Sequence, residues 1–191
     1  MPSCVHPAVP PGSLSISAQP ILAAGAFRLR PWRLTDVAGL VSVYAESDIQ
    51  RWHARSMTEV EAARWVERAG SAWAEETEAS WAVEVRGALA GRMTLKLDLT
   101  EGCASTAYWT RADYRGSGLA PRALVVASDW AFSIGMRRVE LEHSTRNSAS
   151  CRVASKAGFV AEGIRRDGAL HADGWHDMHV HSRLARERPV Q

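Results

Sequence analysis

Arg115-Gly116-Ser117-Gly118-Leu119-Ala120 is the stretch of this chain best suited to chemistry. It lies between a strand-like run, Ala104 to Thr110, and a long helical pattern, Pro121 to Ile134. Two glycines at a strand-to-helix junction let the backbone turn tightly and bring its N–H groups against a ligand. The helix that follows starts with unpaired N–H groups and a partial positive charge. Together these can hold a pyrophosphate without a lysine. The spacing alone is a weak signal, and a plain tight turn would use the same residues. Gly-x-Gly-x-x-Gly fails because Pro121 stands at its third position, and a Walker loop fails for want of Gly-Lys-Ser/Thr.

Other chemically capable residues cluster towards the C-terminal half. Glu140 and Glu142 are two apart in a strand-like run and so share a face, with His143 on the other. Trp175, Asp177, His179 and His181 share one face of the last strand, and His176, Met178 and Val180 the other. His176, His179 and His181 lack a partner cysteine or acidic motif in the sequence, so no metal is expected. Cys151 reads as a small core residue.

The elements that must position these residues follow from periodicity. Phe27 to Arg30 alternates and stops at Pro31, a short strand. Thr35 can cap a helix with Val37, Leu40, Val41 and Tyr44 on one face. Ser47 to Arg55 reads as a polar loop holding Trp52 and His53. Ser56-x-x-Glu59 has capping-box spacing and opens a helix with Ala62, Val66, Ala69 and Trp73 aligned. Strands are expected at Ser80–Val85, Ala90–Leu99 and up to Thr110, joined by short turns as an antiparallel meander. After the glycine loop comes the helix Pro121–Ile134, apolar on most faces and ended by Gly135. Val139–His143 is a strand, and Asn147–Ala157 a helix capped by Asn147 and stopped by Gly158. The last two strands are Phe159–Ile164 and Trp175–Leu184, joined by the loop Arg165–Gly174. The class is α/β (α+β), with helices covering a mostly antiparallel sheet and one parallel β-α-β crossover at the glycine loop.

The composition excludes several classes. The chain has 191 residues, 46% hydrophobic and 23% charged, which suits one soluble domain. A formal net charge of +2, with Lys and Arg spread along the chain, gives no basic tract for nucleic acid. Eight Trp point to several packing sites or a stacking surface. Three Cys (Cys4, Cys103, Cys151) without C-x-x-C argue against a disulfide scaffold or zinc ribbon and fit a cytoplasmic setting. No run is apolar enough to span a bilayer, and the start lacks a secretory pattern. Residues 1–24 read as a mobile arm, 25–186 as the domain and 187–191 as a tail.

Arg115-x-x-Gly118-x-Ala120 matches the Arg/Gln-x-x-Gly-x-Gly/Ala signature of the GNAT superfamily of acetyl-CoA-dependent N-acetyltransferases. The surrounding series resembles its RimJ/RimL-type branch of ribosomal-protein N-terminal acetyltransferases. That series comprises Tyr108-Trp109, Tyr114-Arg115-Gly116, Gly118-Leu119-Ala120, Arg138-Val139-Glu140-Leu141, Asn147-x-x-Ser150-x-x-Val153, Gly158-Phe159 and Glu162-Gly163. The resemblance runs from about Phe27 to Leu184.

This resemblance implies a twisted sheet of about seven strands with a central parallel splayed pair and about four helices. It implies acetyl-CoA as donor, its pantetheine filling the splay near Tyr108, Trp109 and Thr110. Its pyrophosphate would lie on Arg115, Gly116, Ser117, Gly118, Leu119 and Ala120. Pro121 removes one possible donor. Asn147 would reach the pantetheine, besides its capping role. Ser150 would sit by the thioester and protonate the leaving thiolate, against a plain back-bond within its helix. The tyrosine many members carry seven residues after the Asn is Ala154 here. Glu142 occupies a base position used by several members, and Glu140 fits the branch pattern. Trp52, His53, Trp175 and Asp177 would face the acceptor. The expected activity is acetyl transfer to a primary amine, most simply a protein or peptide N-terminus. A small-molecule amine (antibiotic, amino acid or polyamine) and a non-catalytic acyl-CoA sensor are the alternatives. A homodimer fits the branch; neither nucleic acid nor a membrane is expected as partner.

Overall fold

The computed structural model describes residues 6–53 and 55–187. Eight strands form one sheet in the order β1-β2-β3-β4-β5-β6-β8-β7. In chain order the strands are β1 (Leu22–Ala24), β2 (Phe27–Pro31), β3 (Glu78–Val85), β4 (Ala88–Asp98), β5 (Cys103–Thr110), β6 (Arg138–Ser144), β7 (Val160–His171) and β8 (Gly174–Leu184). Every neighbouring pair is antiparallel except β5 and β6. The helices are α1 (Val37–Tyr44), α2 (Ser47–His53), α3 (Glu59–Ala74), α4 (Leu119–Ser133) and α5 (Ser148–Lys156).

The alternation of apolar residues accounts for two cores. Leu29, Trp81, Val83, Met93, Leu95, Val139 and Leu141 bury against the small and aliphatic face of α4, formed by Ala123, Leu124, Ala127 and Ala131. Leu40, Val43, Ile49, Ala62, Val66 and Trp109 form the second core, between α1–α3 and the sheet. Six of the eight tryptophans divide into two packing groups, Trp73, Trp81 and Trp130 in the first core and Trp32, Trp65 and Trp109 in the second. Trp81 meets Trp130 edge-on at 5.0 Å, and Trp32 meets Trp65 at 5.0 Å. Arg30 is buried and bridges Asp36 (2.8 Å) and Glu84 (2.5 Å), which ties β2 and β3 to the turn before α1.

Several expectations are corrected. The arm reading of residues 1–24 does not hold for residues 8–24. Val9 and Leu14 are buried in the first core, Ala8 and Val9 donate backbone hydrogen bonds to Thr100 and Leu99, and Leu22–Ala24 adds an edge strand. Its carbonyls also accept from buried indoles, Pro20 from Trp81 at 2.8 Å and Ser17 from Trp73 at 3.0 Å. A low-charge, Pro/Ser-rich stretch can therefore be ordered by what it covers. Residues 1–5, with Cys4, and residues 188–191 lie outside the described residues.

Ser47–Arg55 is not a loop, because residues 47–53 form α2, anchored by buried Ile49 with Asp48 in the first turn. The cap of α3 is Thr58 with Glu61, two residues beyond the expected box; both pairs have the same spacing, and Thr58 Oγ1 accepts from Glu61 N–H. Thr35 caps nothing; it lies in a 3₁₀ turn where Asp36 accepts from Arg33 N–H. Nor is Arg165–Gly174 a loop. β7 runs on to His171 after an irregularity between Arg165 and Ala169, where Asp167 takes a left-handed φ of 46°.

Candidate functional site: a cleft between two parting strands

β5 and β6 are paired only from Cys103↔Arg138 to Thr106↔Leu141. Beyond that point each strand follows its outer neighbour. β5 stays on β4 through Thr110↔Gly91, and β6 stays on β8 through Ser144↔Met178. The two diverge and leave a cleft of about 640 Å³ lined by Thr106–Thr110 on one side and Glu142–Ser144 on the other. Backbone groups facing this gap are the kind an extended amide-bearing ligand can pair with.

The glycine loop closes one end. Gly116 and Gly118 have φ of 75° and 76°, and a Cβ at either would meet nothing within 4 Å. The left-handed backbone makes glycine the suitable residue, and the space above it is open. Among the described residues, no protein acceptor takes the N–H of Gly116, Ser117, Gly118, Leu119 or Ala120. The loop thus offers a row of free donors at the start of α4, the arrangement suited to a pyrophosphate. α4 begins at Leu119 rather than Pro121, and Pro121 falls in its first turn, where an N–H has no intrahelical partner anyway.

Two side chains of the loop are held by the protein itself. Arg115 donates to the Thr110 carbonyl (3.0 Å) and pairs with Asp48 (2.6 Å) on α2, so its charge staples the loop to α2. Ser117 Oγ donates to the Tyr114 carbonyl. Arg152 and Lys156, one helical turn apart on α5, do line the cleft. Neither was singled out from the sequence, although a basic pair at i, i+4 after Asn147 was there to be seen.

Midway along the cleft, Asn147 Oδ1 caps α5 by accepting from Ser150 N–H at 3.0 Å. Tyr108 hydroxyl donates to Ser150 Oγ at 3.0 Å. Burial pushes the Tyr108 phenol up to about 12, so it stays protonated and remains the donor. Ser150 keeps its own proton to offer elsewhere. Glu142 also lines the cleft, with one carboxylate oxygen 2.6 Å from Arg165. Glu140 does not reach it. Glu140 lies opposite Ser105, where β5 and β6 are still joined, and pairs with Arg138.

The far end is walled by α2 and the β7–β8 pair. Trp52 meets His171 edge-on at 6.1 Å, and His53 lies beside them. His171 was not anticipated, because its segment read as a loop. Burial, with Arg92 and Arg55 nearby, pushes His53 down to about 4. Trp175 and Asp177 are not in this wall. Trp175 is 60% exposed, and Asp177 accepts from the Asp167 backbone across the β7 irregularity.

The C-terminal histidines divide into two groups. His176 is buried with Ser144 Oγ on Nδ1 (2.8 Å) and Asp173 on Nε2 (2.8 Å), and it stacks on His171. His179 and His181 instead meet His143 and Cys151, whose ligand atoms all lie within 4.8 Å of one another. The expectation of no metal rested on His176, His179 and His181 as the set. The fold removes His176 from that set and supplies two other residues.

A profile of the acetyltransferase (GNAT) domain matches residues 27–160, most of the chain. The protein belongs to this family, whose acyl donor is acetyl-CoA. YdaF of Bacillus subtilis (strain 168), provisionally named a ribosomal N-acetyltransferase, is 33% identical over 104 residues, 53% of this chain and 56% of the relative. The chain spans about half the length of the curated relatives it matches. The microcin C7 self-immunity acetyltransferase MccE, solved with acetyl-CoA and AMP, has a TM-score of 0.79 at 17% identity over 90% of this chain and 99% of that one. The ribosomal-protein-S5-alanine acetyltransferase of Vibrio fischeri has a TM-score of 0.80 at 16% identity over 89% and 100%. At these identities the two structures show a shared fold.

Proposed function

We propose that this protein transfers the acetyl group of acetyl-CoA to the N-terminal α-amino group of a protein or peptide. The observation that carries the transfer is the cleft between the parting strands. It has five free N–H groups at one end and the Tyr108–Ser150 pair midway. The donors of residues 116–120, with Arg152 and Lys156, would hold the phosphates, while the edges of β5 and β6 and Asn147 would hold the pantetheine. Acetyl-CoA supplies an activated carbonyl on a thiolate leaving group. Tyr108 orients Ser150 Oγ, and Ser150 would give its proton to the departing sulfur, Tyr108 refilling it. Glu142, held by Arg165, would accept the proton of the incoming ammonium directly or through water. Trp52, His53 and His171 would form the acceptor wall, where a neutral His53 can accept a hydrogen bond from the amine.

The choice of a protein N-terminus rests on the likeness to YdaF and on the RimJ/RimL-type motif series, which favour it over a small amine. The test is thiol release from acetyl-CoA with Ser- and Ala-initiated peptides, with the same peptides N-terminally blocked, and with free polyamines and amino acids. Acetylation confined to free peptide α-amines is expected. Turnover only on small amines would move the acceptor. A folded protein with neither turnover on any amine nor a thermal shift with acetyl-CoA would remove the transferase reading.

A further inference from the structure

We propose that His143, Cys151, His179 and His181 form a closed, four-ligand site for a zinc-class divalent metal. The four come from three elements, β6, α5 and β8, and their ligand atoms lie within 4.8 Å of one another. His143 and His179 are directly opposite in the β6–β8 ladder, and His181 is the next residue on the same face of β8. Cys151 comes onto them from α5. His143 Nε2 and His181 Nε2 are 3.2 Å apart. With metal–nitrogen bonds of about 2.0–2.1 Å, two nitrogens in a tetrahedral shell stand about 3.3–3.4 Å apart, so these two are already at ligand spacing and the more distant atoms must close in by about 1 Å through side-chain rotation.

One of the three imidazoles already has an orienting contact. His143 Nδ1 donates to the Ser144 carbonyl at 2.8 Å, which fixes the ring and leaves Nε2 bare. His181 is 3% exposed, and among the described residues the buried Nδ1 of His181 and of His179 has no hydrogen-bond partner, so no contact in the protein ties up these two rings beyond the cluster itself. Three imidazoles and one thiolate suit zinc and its neighbours rather than calcium or magnesium, which take oxygen ligands. Four protein ligands leave no position for substrate, so the site is structural. On binding, the Cys151 thiol gives its proton to solvent and no oxidation state changes. The metal would pin α5, which carries Asn147 and Ser150, to the β6–β8 pair. The site does not depend on acetyl transfer.

The test uses the full chain stripped with a chelator, then titrated with Co²⁺ and followed by absorption. One equivalent is expected, with tetrahedral visible bands and a thiolate-to-metal band in the near ultraviolet, all displaced by Zn²⁺. Cys151→Ser, checked for folding by circular dichroism, should lose the near-ultraviolet band. His179→Gln, at a half-buried position, should weaken binding about tenfold or more. His176→Gln, in the separate Ser144–Asp173 group, should leave the spectrum unchanged. No tetrahedral spectrum from folded protein overturns the proposal. A near-ultraviolet band that survives in Cys151→Ser, or a Co²⁺ affinity unchanged in His179→Gln, overturns it as well.

Discussion

Ser150→Ala separates a proton-donating serine from a helix-capping neighbour. In the folded protein the substitution removes one hydrogen bond, from Tyr108 at 3.0 Å, and leaves that phenol unpartnered in a largely buried position. Such a loss costs about 1–2 kcal/mol of stability. At about 2–4 °C per kcal/mol for a chain of this size, Tm should fall by about 2–8 °C. The cap itself survives, because Asn147 accepts from the Ser150 backbone N–H, which alanine retains. The cradle of N–H groups at residues 116–120 is untouched, so the acetyl-CoA Kd should move less than about threefold, under about 0.7 kcal/mol.

The turnover should respond quite differently. A positioned general acid contributes about 10²- to 10⁴-fold, or roughly 2.7–5.5 kcal/mol of barrier. Stopped-flow thiol release under saturating acetyl-CoA reads kcat, and calorimetry reads Kd. Tyr108→Phe keeps the Ser150 hydroxyl but loses its donor, so it should fall between wild type and Ser150→Ala. In the double variant the two losses should be less than additive, because they act through one hydrogen-bonded pair. A Ser150→Ala enzyme that keeps kcat within about threefold of wild type refutes the role given to Ser150. It would return that residue to helix packing.

Three further outcomes follow from the fold. Asp36→Ala removes the bidentate partner of the buried Arg30 guanidinium and leaves it only Glu84, which Arg28 shares. Breaking such a pair costs about 3–5 kcal/mol, a fall in Tm of about 6–20 °C by differential scanning calorimetry, and a drop under 2 °C would show the cluster to be solvated. Leu14→Ala should cost about 2–3 kcal/mol in chemical denaturation if the N-terminal segment packs as described; no measurable change would restore the view of it as a free arm. His53 titrates near 6.5 when unfolded and near 4 when folded, so between these values the unfolded chain takes up a proton that the folded chain refuses. That contribution is complete above about pH 6.5 and is lost as pH falls through 4. The Tm of wild type should therefore decline more steeply than that of His53→Gln over this window, and parallel curves would contradict the buried environment.

Much of this architecture was legible in one dimension. Local rules dictate the short-turn antiparallel meander of β3–β5, the stripe of Ala62, Val66, Ala69 and Trp73 on α3, the Asn147 cap and the glycine turn, and all of these stand in the structure. Each depends on residues within a few positions of one another, so period and propensity suffice. The motif series around residues 108–163 also marks the glycine loop and α5, both of which line the cleft.

Tertiary structure decided what those rules could not reach. Residues 8–24 look like an arm because most of their partners, the indoles of Trp73 and Trp81 and the carbonyls of Leu99 and Thr100, lie far along the chain. Glu140 and Glu142 are equivalent by period. Only the point at which β5 leaves β6 places one in the cleft and the other in a closed ladder. The Tyr108–Ser150 hydrogen bond spans 42 residues, and the meeting of His143, Cys151, His179 and His181 spans three elements. Sequence names the side chains that can donate, accept or ligate. Which of them share a few ångströms is settled by strand register and by where a ladder opens, and both are properties of the whole sheet.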